Sequence, residues 1–200
     1  MNISAIVMAS GMSMRMNADK LQLKINDKKI YEYIFETING HNFYETIVVA
    51  KDDDILEDAK NFGFKGVKNT KYFLGQSESI KAGLENSKNS DGFMFFVADQ
   101  PFIKRTTIEK LCNEFYKNPH NIIIPYYNEM RGNPVIFPYE MKNLLMAIEK
   151  DNGGKIVINA NLDKVIRVDI ETKNEFMDID TKEDYERVKN MKVIKWQEIL

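Results

Sequence analysis

Short apolar runs alternate with helical patterns along most of this chain, and this alternation restricts the fold more than any other feature. The runs predict strands at residues 3–8, 46–50, 92–98 and 121–125, with a weaker one at 64–67. The helical patterns cover residues 30–39, 54–62, 77–86 and 107–116. Such alternation is typical of βαβ crossovers, which build a mostly parallel sheet with helices on both faces. The predicted fold class is therefore α/β.

The run at residues 92–98 is apolar at nearly every position, as expected for a central strand that is covered on both sides. Parallel sheets bind ligands beyond the carboxyl ends of their strands. The loop at residues 9–20 and the loop that begins at Asp99 both follow predicted strands, so they open at that edge. We expect a ligand site there.

The pattern changes after Pro125. Residues 133–138 predict an edge or antiparallel segment, because proline is poorly tolerated in a central strand. Two helical patterns follow, then a strand at 164–169 and a short strand around Asp178 that leads into a helix capped by Asp180 or Thr181. No linker, repeat or low-complexity tract interrupts the sequence. Residues 1–191 are therefore predicted to form one domain, followed by a tail at 192–200.

Composition and charge exclude several classes of partner. The 28 basic and 30 acidic residues give a net charge of −2, so no overall basic field favours nucleic acid or anionic lipid. No apolar run approaches the length of a membrane span. The lone cysteine, Cys112, cannot form an internal disulfide and fits a reducing cytoplasm. We expect it to be a small buried apolar residue, and we find no metal-ligand spacing around the two histidines.

The loop at residues 9–20 is the first candidate site. Its small residues leave backbone N–H groups uncovered, and its two basic side chains add positive charge, a combination that suits a triphosphate. The loop is neither a P-loop nor a dinucleotide-binding fingerprint, and an ordinary strand-to-loop turn is the alternative. The residues concerned are Ala9, Ser10, Gly11, Met12, Ser13, Arg15 and Lys20.

There are two further candidate clusters, of which one precedes a helix and the other follows a strand. Gly75, Gln76 and Ser77 offer polar groups at a helix start that can match the edge of a nucleobase, with plain helix capping as the alternative. Asp99 directly follows the most apolar strand. Beside a triphosphate its carboxylate would bind Mg²⁺, whereas a simple turn is the alternative.

The last candidates lie in the second half of the chain. On a strand, Asp178 and Asp180 would point the same way. We expect Asp180 to cap the following helix and Asp178 to be the second ligand on the metal side. Residues 131–134 and 150–155 include glycines that could expose N–H groups to an anion, although two surface turns would explain them equally.

Taken together, these clusters resemble the nucleotidyltransferases that attach a nucleotide to molybdopterin, with the molybdenum cofactor cytidylyltransferases as the closest likeness. Residues 8–20 are similar to that family's L-A-A-G-x-S-x-R-M-G-x-x-K loop. The family's G-Q-S-x-S-L, D-Q-P, G-N-P-V-x-F and D-I-D-T-P-E-D-Y motifs resemble residues 75–80, 99–101, 132–137 and 178–185. The matches run in order over residues 3–185.

The resemblance implies a Rossmann-like nucleotide-diphospho-sugar transferase fold and transfer of CMP from CTP to molybdopterin carrying molybdenum, with release of pyrophosphate. It implies that the 9–15 loop and Lys20 hold the triphosphate, residues 75–77 the cytosine, and Asp99 the Mg²⁺ cofactor. Arg15, Lys20 and Asp99 would be the catalytic residues. The residues implied to lie toward the pterin are Asn133, Asp151, Gly153, Gly154 and Lys155.

Several departures from the family pattern leave alternatives open. Ser10 replaces the second alanine of L-A-A-G at a position where the guanylyl branch has L-A-G-G, so the choice of base stays open. Lys155 replaces an arginine and cannot form a bidentate fork on a phosphate. The alternatives are a guanylyl or sugar-phosphate nucleotidyltransferase, or a non-catalytic module that holds the pterin cofactor for a molybdoenzyme partner. The retained Arg15, Lys20 and Asp99 favour catalysis.

Overall fold

The computed structural model describes residues 1–12, 16 and 19–190. Its strands are β1 (Ile3–Ala9), β2 (Lys24–Ile25), β3 (Lys28–Lys29), β4 (Glu45–Ala50), β5 (Lys65–Lys68), β6 (Gly92–Val97), β7 (Ile122–Tyr127), β8 (Met130–Arg131), β9 (Val135–Pro138) and β10 (Val165–Asp169). Its α-helices are α1 (Ile30–Ile38), α2 (Asp53–Asn61), α3 (Gln76–Glu85), α4 (Arg105–Lys117), α5 (Lys142–Met146), α6 (Lys155–Ala160) and α7 (Lys182–Lys189). No described helix has the length and apolar character needed to cross a membrane.

The main sheet has the order β10-β7-β9-β6-β1-β4-β5, with β8 paired to β7. Strands β5, β4, β1 and β6 run parallel, as do β7 and β10. The predicted α/β class with a mostly parallel sheet is confirmed. Strand β9 is antiparallel to β6 and β7, but it lies between them and not at an edge. A proline is accommodated there because Pro134 precedes the strand and Pro138 is its last residue.

Both faces of the sheet are covered, which explains the apolar character of its central strands. In β1, Ala5 and Val7 face a core formed with α1, α2 and α4, whereas Ile6 faces a second core formed with α3, α5 and α6. Alternate side chains of a strand point to opposite faces, so both sets must be apolar. Cys112 packs at the border of the first core, and burial raises the pKa of its thiol to about 12. A buried residue was expected, whereas Cys112 is half-buried and packs against the core from its edge.

The stretch around Asp178 corrects two predictions. Residues 177–180 form no strand; they follow a 3-10 turn at Lys173–Phe176 and cross the end of β6, where the Ile179 N–H donates to the Asp99 carbonyl at 3.2 Å. Asp180 is not the helix cap either. Thr181 caps α7, because its hydroxyl accepts from the Asp184 N–H at 3.1 Å while the Asp184 carboxylate accepts from the Thr181 N–H at 3.0 Å.

Candidate active site

A cavity of about 210 Å³ opens at the carboxyl ends of β1 and β6. Seven of the residues predicted to bind the nucleotide or the metal line it, and they come from three separate parts of the sequence. Ala9 and Ser77 are buried beside it without lining it, whereas Ser13 and Arg15 lie outside the described residues. The seven are Ser10, Gly11, Met12, Lys20, Gly75, Gln76 and Asp99.

The loop after β1 leaves room above its backbone. The buried Ser10 hydroxyl donates to the Val49 carbonyl at 3.1 Å, so the side chain is fixed against β4. A Cβ placed on Gly11 would meet nothing within 4 Å. The described start of this loop therefore presents bare backbone toward open space, as a phosphate-binding loop requires.

Lys20 is the described cation of this cavity, and it is held between two carboxylates. Its Nζ lies 2.5 Å from Asp99 Oδ2 and 2.6 Å from Asp180 Oδ1. Burial alone would lower the pKa of Lys20, but the two carboxylates outweigh that effect and raise it. The side chain is therefore a positively charged ammonium at neutral pH.

Asp19, which directly precedes Lys20, holds the backbone there through a hydrogen bond and a second ion pair. The Asp19 side chain caps the 3-10 turn Lys20–Gln22 by accepting from the Leu21 N–H at 3.2 Å. Its other oxygen lies 2.5 Å from Nζ of Lys51, the residue that follows β4. Lys51 could not be predicted as part of the site, because only the adjacency of β4 and β1 brings it to this loop.

Three aspartates and a glutamine form an acidic corner behind Lys20. Gln100 Nε2 donates to Asp178 Oδ1 at 2.6 Å, and Asp180 reaches Lys20 from the segment before α7. Burial of the carboxyl and the nearby Asp99 charge raise the pKa of Asp178 to about 6. Solvent reaches the Asp178 residue, so we expect screening to reduce this shift. The geometry thus adds Asp180 to the two aspartates that were predicted on the metal side.

This corner suits a divalent cation that arrives with a nucleotide. Asp99 Oδ1 is buried and has no hydrogen-bond partner among the described residues. The same residues contain no group of three side chains able to hold a metal. Mg²⁺ commonly binds one or two carboxylates and takes its other ligands from substrate phosphates and water. Asp99 and Asp178 fit that smaller donor set.

The N-terminus of α3 is packed tightly against the loop at residues 150–154. Gly75 has φ +115°, and a Cβ on it would lie 2.5 Å from the Lys150 carbonyl carbon. The Ser77 N–H donates to the Lys150 carbonyl, and the Gln76 N–H to Asp151 Oδ1, both at 3.3 Å. Glycine is therefore required at position 75 both for its backbone angle and for the close approach.

A second, larger cavity of about 800 Å³ adjoins the first. Both are lined by Met8, Gln76 and Asp151, so these residues mark the boundary between them. Its floor is apolar and comes from strands β6, β7 and β9 and helices α5 and α6. All five residues predicted to face the acceptor line this cavity: Asn133, Asp151, Gly153, Gly154 and Lys155. Arg131 and Asn159 also line it; Arg131 lies in the candidate region 131–134 without a predicted role, and Asn159 was not predicted.

Comparison with known proteins identifies the family to which the chain is similar. The family described as MobA-like NTP transferase domain matches residues 5–165. A probable molybdenum cofactor guanylyltransferase from Natranaerobius thermophilus is 35% identical over 126 residues, which are 62% of this chain and 60% of that protein. The chain thus matches less than two thirds of that relative's length. A probable molybdenum cofactor guanylyltransferase from Thermococcus gammatolerans is 23% identical over 186 residues, 89% of this chain and 94% of that protein.

A solved structure shows the same fold. The homologue of Mycobacterium tuberculosis Rv0371c from Mycobacterium sp. strain JC1 has a TM-score of 0.82 at 22% identity, with 94% of each chain covered. The family match covers most of the sequence and includes the loop after β1, both cavities' strands and Asp99. This chain therefore belongs to the MobA-like NTP transferase domain family.

Proposed function

We propose that this protein transfers a nucleoside monophosphate from a nucleoside triphosphate to the phosphate of a molybdopterin-type acceptor. The observation that carries this proposal is the pair of adjoining cavities. The smaller has the bare loop, Lys20 and Asp99 that a triphosphate needs, and the larger has the apolar floor and polar rim that suit a flat organic acceptor. Their shared boundary is where the two substrates would meet.

The reaction needs positioning and charge neutralisation more than a strong base. An acceptor phosphate oxygen forms a bond to the α-phosphorus, and the bond between the α-phosphorus and the bridging oxygen breaks. Pyrophosphate leaves with that electron pair. The attacking phosphate is anionic near neutral pH, so no proton has to be removed first. Lys20 and the loop amides would hold the triphosphate in line for attack.

The charges of the corner explain why a metal would accompany the nucleotide. Asp99, Asp178 and Asp180 carry three negative charges when ionised and Lys20 carries one positive charge, which leaves a net of −2. A triphosphate brought alone to this corner would be repelled. Mg²⁺ held by Asp99 and Asp178 would offset that charge and polarise the phosphate oxygens.

We propose CTP as the donor. Ser10 carries a Cβ at the position where the cytidylyl branch has alanine, and its hydroxyl donates to the Val49 carbonyl. The small volume of the first cavity also suits a pyrimidine. GTP is the second candidate, because both relatives named above are described as guanylyltransferases.

Pyrophosphate release tests the proposal. Each of CTP, GTP, UTP and ATP is supplied with Mg²⁺ and purified molybdenum cofactor, and kcat/KM is measured. We expect CTP to exceed GTP by at least about tenfold, a difference of about 1.4 kcal/mol in transition-state binding. A GTP preference would overturn the choice of base alone. Cofactor binding without pyrophosphate release by any nucleotide would overturn the proposed reaction.

A further inference from the structure

Tyr72 is an exposed aromatic residue that lines the smaller cavity, and the proposed reaction gives it no role. It lies on the 3-10 turn Tyr72–Leu74, directly before Gly75 and α3, and 36% of its surface is exposed. Among the described residues that line this cavity, it is the one with an aromatic ring. Met12 is also exposed there, at 43%, but a methionine side chain has no flat face. An aromatic ring at a polar cavity suits a ligand with a flat group of its own.

The turn that carries Tyr72 is anchored on both sides. Before it, the buried Asn69 donates its N–H to the Ala50 carbonyl at 2.8 Å and its Nδ2 to the Ser79 hydroxyl at 3.1 Å. After it, the Gly75 N–H donates to the Tyr72 carbonyl at 3.2 Å. The Tyr72 backbone is therefore held before a ligand arrives, which lowers the entropic cost of binding against its ring.

The charges of the smaller cavity come from other segments than Tyr72. Lys20 and Asp99, which would hold the triphosphate and the metal, follow β1 and β6. Tyr72 follows β5, at the other end of the β6-β1-β4-β5 part of the sheet from β6. A nucleotide likewise has a charged tail and a flat uncharged base. The residues that line the cavity from the segment around Tyr72 are uncharged: Tyr72, Gly75, Gln76 and Ser79.

We propose that the base of the bound nucleotide stacks on the Tyr72 ring. This inference rests on the proposed function, because it takes the smaller cavity as the nucleotide site. Every nucleobase has a π-face, so a stacking contact tolerates any base. Tyr72 therefore contributes affinity for the nucleotide, and the choice between CTP and GTP depends on other contacts.

Binding of two ligands without acceptor tests this role. Isothermal titration calorimetry gives the Kd of CTP with Mg²⁺, and the Kd of inorganic tripolyphosphate with Mg²⁺, which has the charged tail but no base. Tyr72→Ala should weaken CTP binding at least about fivefold, the lower end of the range for base–aromatic stacking. The same variant should bind tripolyphosphate within about twofold of the parent, because the phosphate contacts are unchanged.

Further variants separate stacking from general effects. Tyr72→Phe keeps the ring and should bind CTP as the parent does, whereas Tyr72→Leu keeps an apolar side chain without a flat face and should bind it as weakly as Tyr72→Ala. Leu74→Ala is the control for the turn, since Leu74 is 51% exposed and lines neither cavity. Tyr116→Ala makes the same substitution at an exposed tyrosine on α4 that also lines neither cavity. Both controls should bind CTP as the parent does.

The outcomes distinguish this inference from the proposed function. Undiminished CTP affinity in folded Tyr72→Ala, equal losses for CTP and tripolyphosphate, or full affinity in Tyr72→Leu would overturn the stacking contact and leave the proposed function standing. A parent protein that binds no nucleoside triphosphate with Mg²⁺ would overturn both.

The same contact has a kinetic signature. With molybdenum cofactor as acceptor, Tyr72→Ala should raise the KM for CTP and keep kcat within about threefold of the parent, the pattern of lost uniform binding. The affinity for GTP should fall by a factor similar to that for CTP, because stacking does not read the edge of the base. A loss confined to one of the two nucleotides would contradict the stacking contact.

Discussion

At the scale of single residues, the site depends on a few groups whose roles can be separated. Asp99 both pairs with Lys20 through Oδ2 and keeps Oδ1 without a described partner. Its removal would leave Lys20 paired with Asp180, so the fold has a second anchor for the ammonium. Loss of Asp99 should therefore affect catalysis more than folding.

Asp99→Ala should lower kcat at least about a hundredfold, as is typical when electrostatic stabilisation of a transition state is lost. Pyrophosphate release measures kcat, and circular dichroism verifies that the variant is folded. Asp163→Ala, an exposed carboxylate on a 3-10 turn, is the matched control and should behave as the parent. Activity of Asp99→Ala within about threefold of the parent would remove Asp99 from the metal site.

Gly75 allows a prediction that separates backbone strain from a steric clash. Gly75 and Gly63 both have positive φ, +115° and +78°, but a Cβ at Gly63 meets nothing within 4 Å whereas one at Gly75 meets the Lys150 backbone at 2.5 Å. Gly63→Ala should lose about 1 kcal/mol of unfolding free energy from strain alone. Gly75→Ala should lose more and should also weaken nucleotide binding. Equal urea denaturation midpoints for the two variants would contradict the close approach.

At the scale of elements, the start of α7 connects local capping to the site. Thr181 and Asp184 form a reciprocal cap directly after Asp180, the residue that pairs with Lys20. Val188 anchors the helix in the core. A frayed first turn would release the segment that carries both Asp178 and Asp180. The cap therefore stabilises the acidic corner as well as the helix.

The pH dependence of stability should reveal this cap. Partial burial of the Asp184 carboxyl opposes the shift, but hydrogen bonds from the Thr181 hydroxyl and backbone lower its pKa. A lowered pKa in the folded state stabilises the fold above the unfolded-state pKa, and this stability is lost as the pH falls through the folded-state value. Asp184→Asn should cost about 1 kcal/mol at pH 7, with the deficit closing below about pH 4. Urea unfolding across pH 2–7 measures it, with Asp163→Asn as control; a deficit that does not shrink as the pH falls would contradict the assignment.

At the scale of the whole molecule, donor nucleotide and metal should stabilise the fold together. In the proposed function, Asp99 and Asp178 would hold Mg²⁺ and the nucleotide phosphates would complete its coordination. A ligand at a hundred times its Kd adds about 2.7 kcal/mol to the folded state. For a chain of 200 residues this corresponds to a rise in Tm of roughly 5–10 °C.

Thermal unfolding with CTP and Mg²⁺ together should show that rise, whereas either one alone should give a much smaller shift. Addition of EDTA to the ternary mixture should return Tm to the value with CTP alone. Asp99→Ala should respond to CTP equally with and without the metal. A full shift with CTP in EDTA would show that nucleotide binding does not use the acidic corner.

The elements and the position of the site could be predicted because both follow from local patterns. Apolar runs broken by small residues mark strand ends, and parallel strands align those ends at one edge. Gly11 and Asp99 could therefore be assigned to one site from the sequence, and both line the smaller cavity. Prediction was wrong where one residue had two local interpretations. Aspartate is a common helix-capping residue, but Thr181 caps α7, and the Asp180 carboxylate pairs with Lys20 instead.

Hydrophobic periodicity and motifs of adjacent residues were sufficient to predict the α/β class, the order of the elements along the chain and which loops meet beyond the sheet. The partners of the charges, in contrast, depend on the folded arrangement. Lys20 and Asp180 are 160 residues apart, Asp19 and Lys51 are 32 apart, and Arg131 and Asn159 are 28 apart. Such pairs form because packing brings two segments within a few ångströms, and no local pattern in either segment encodes the other.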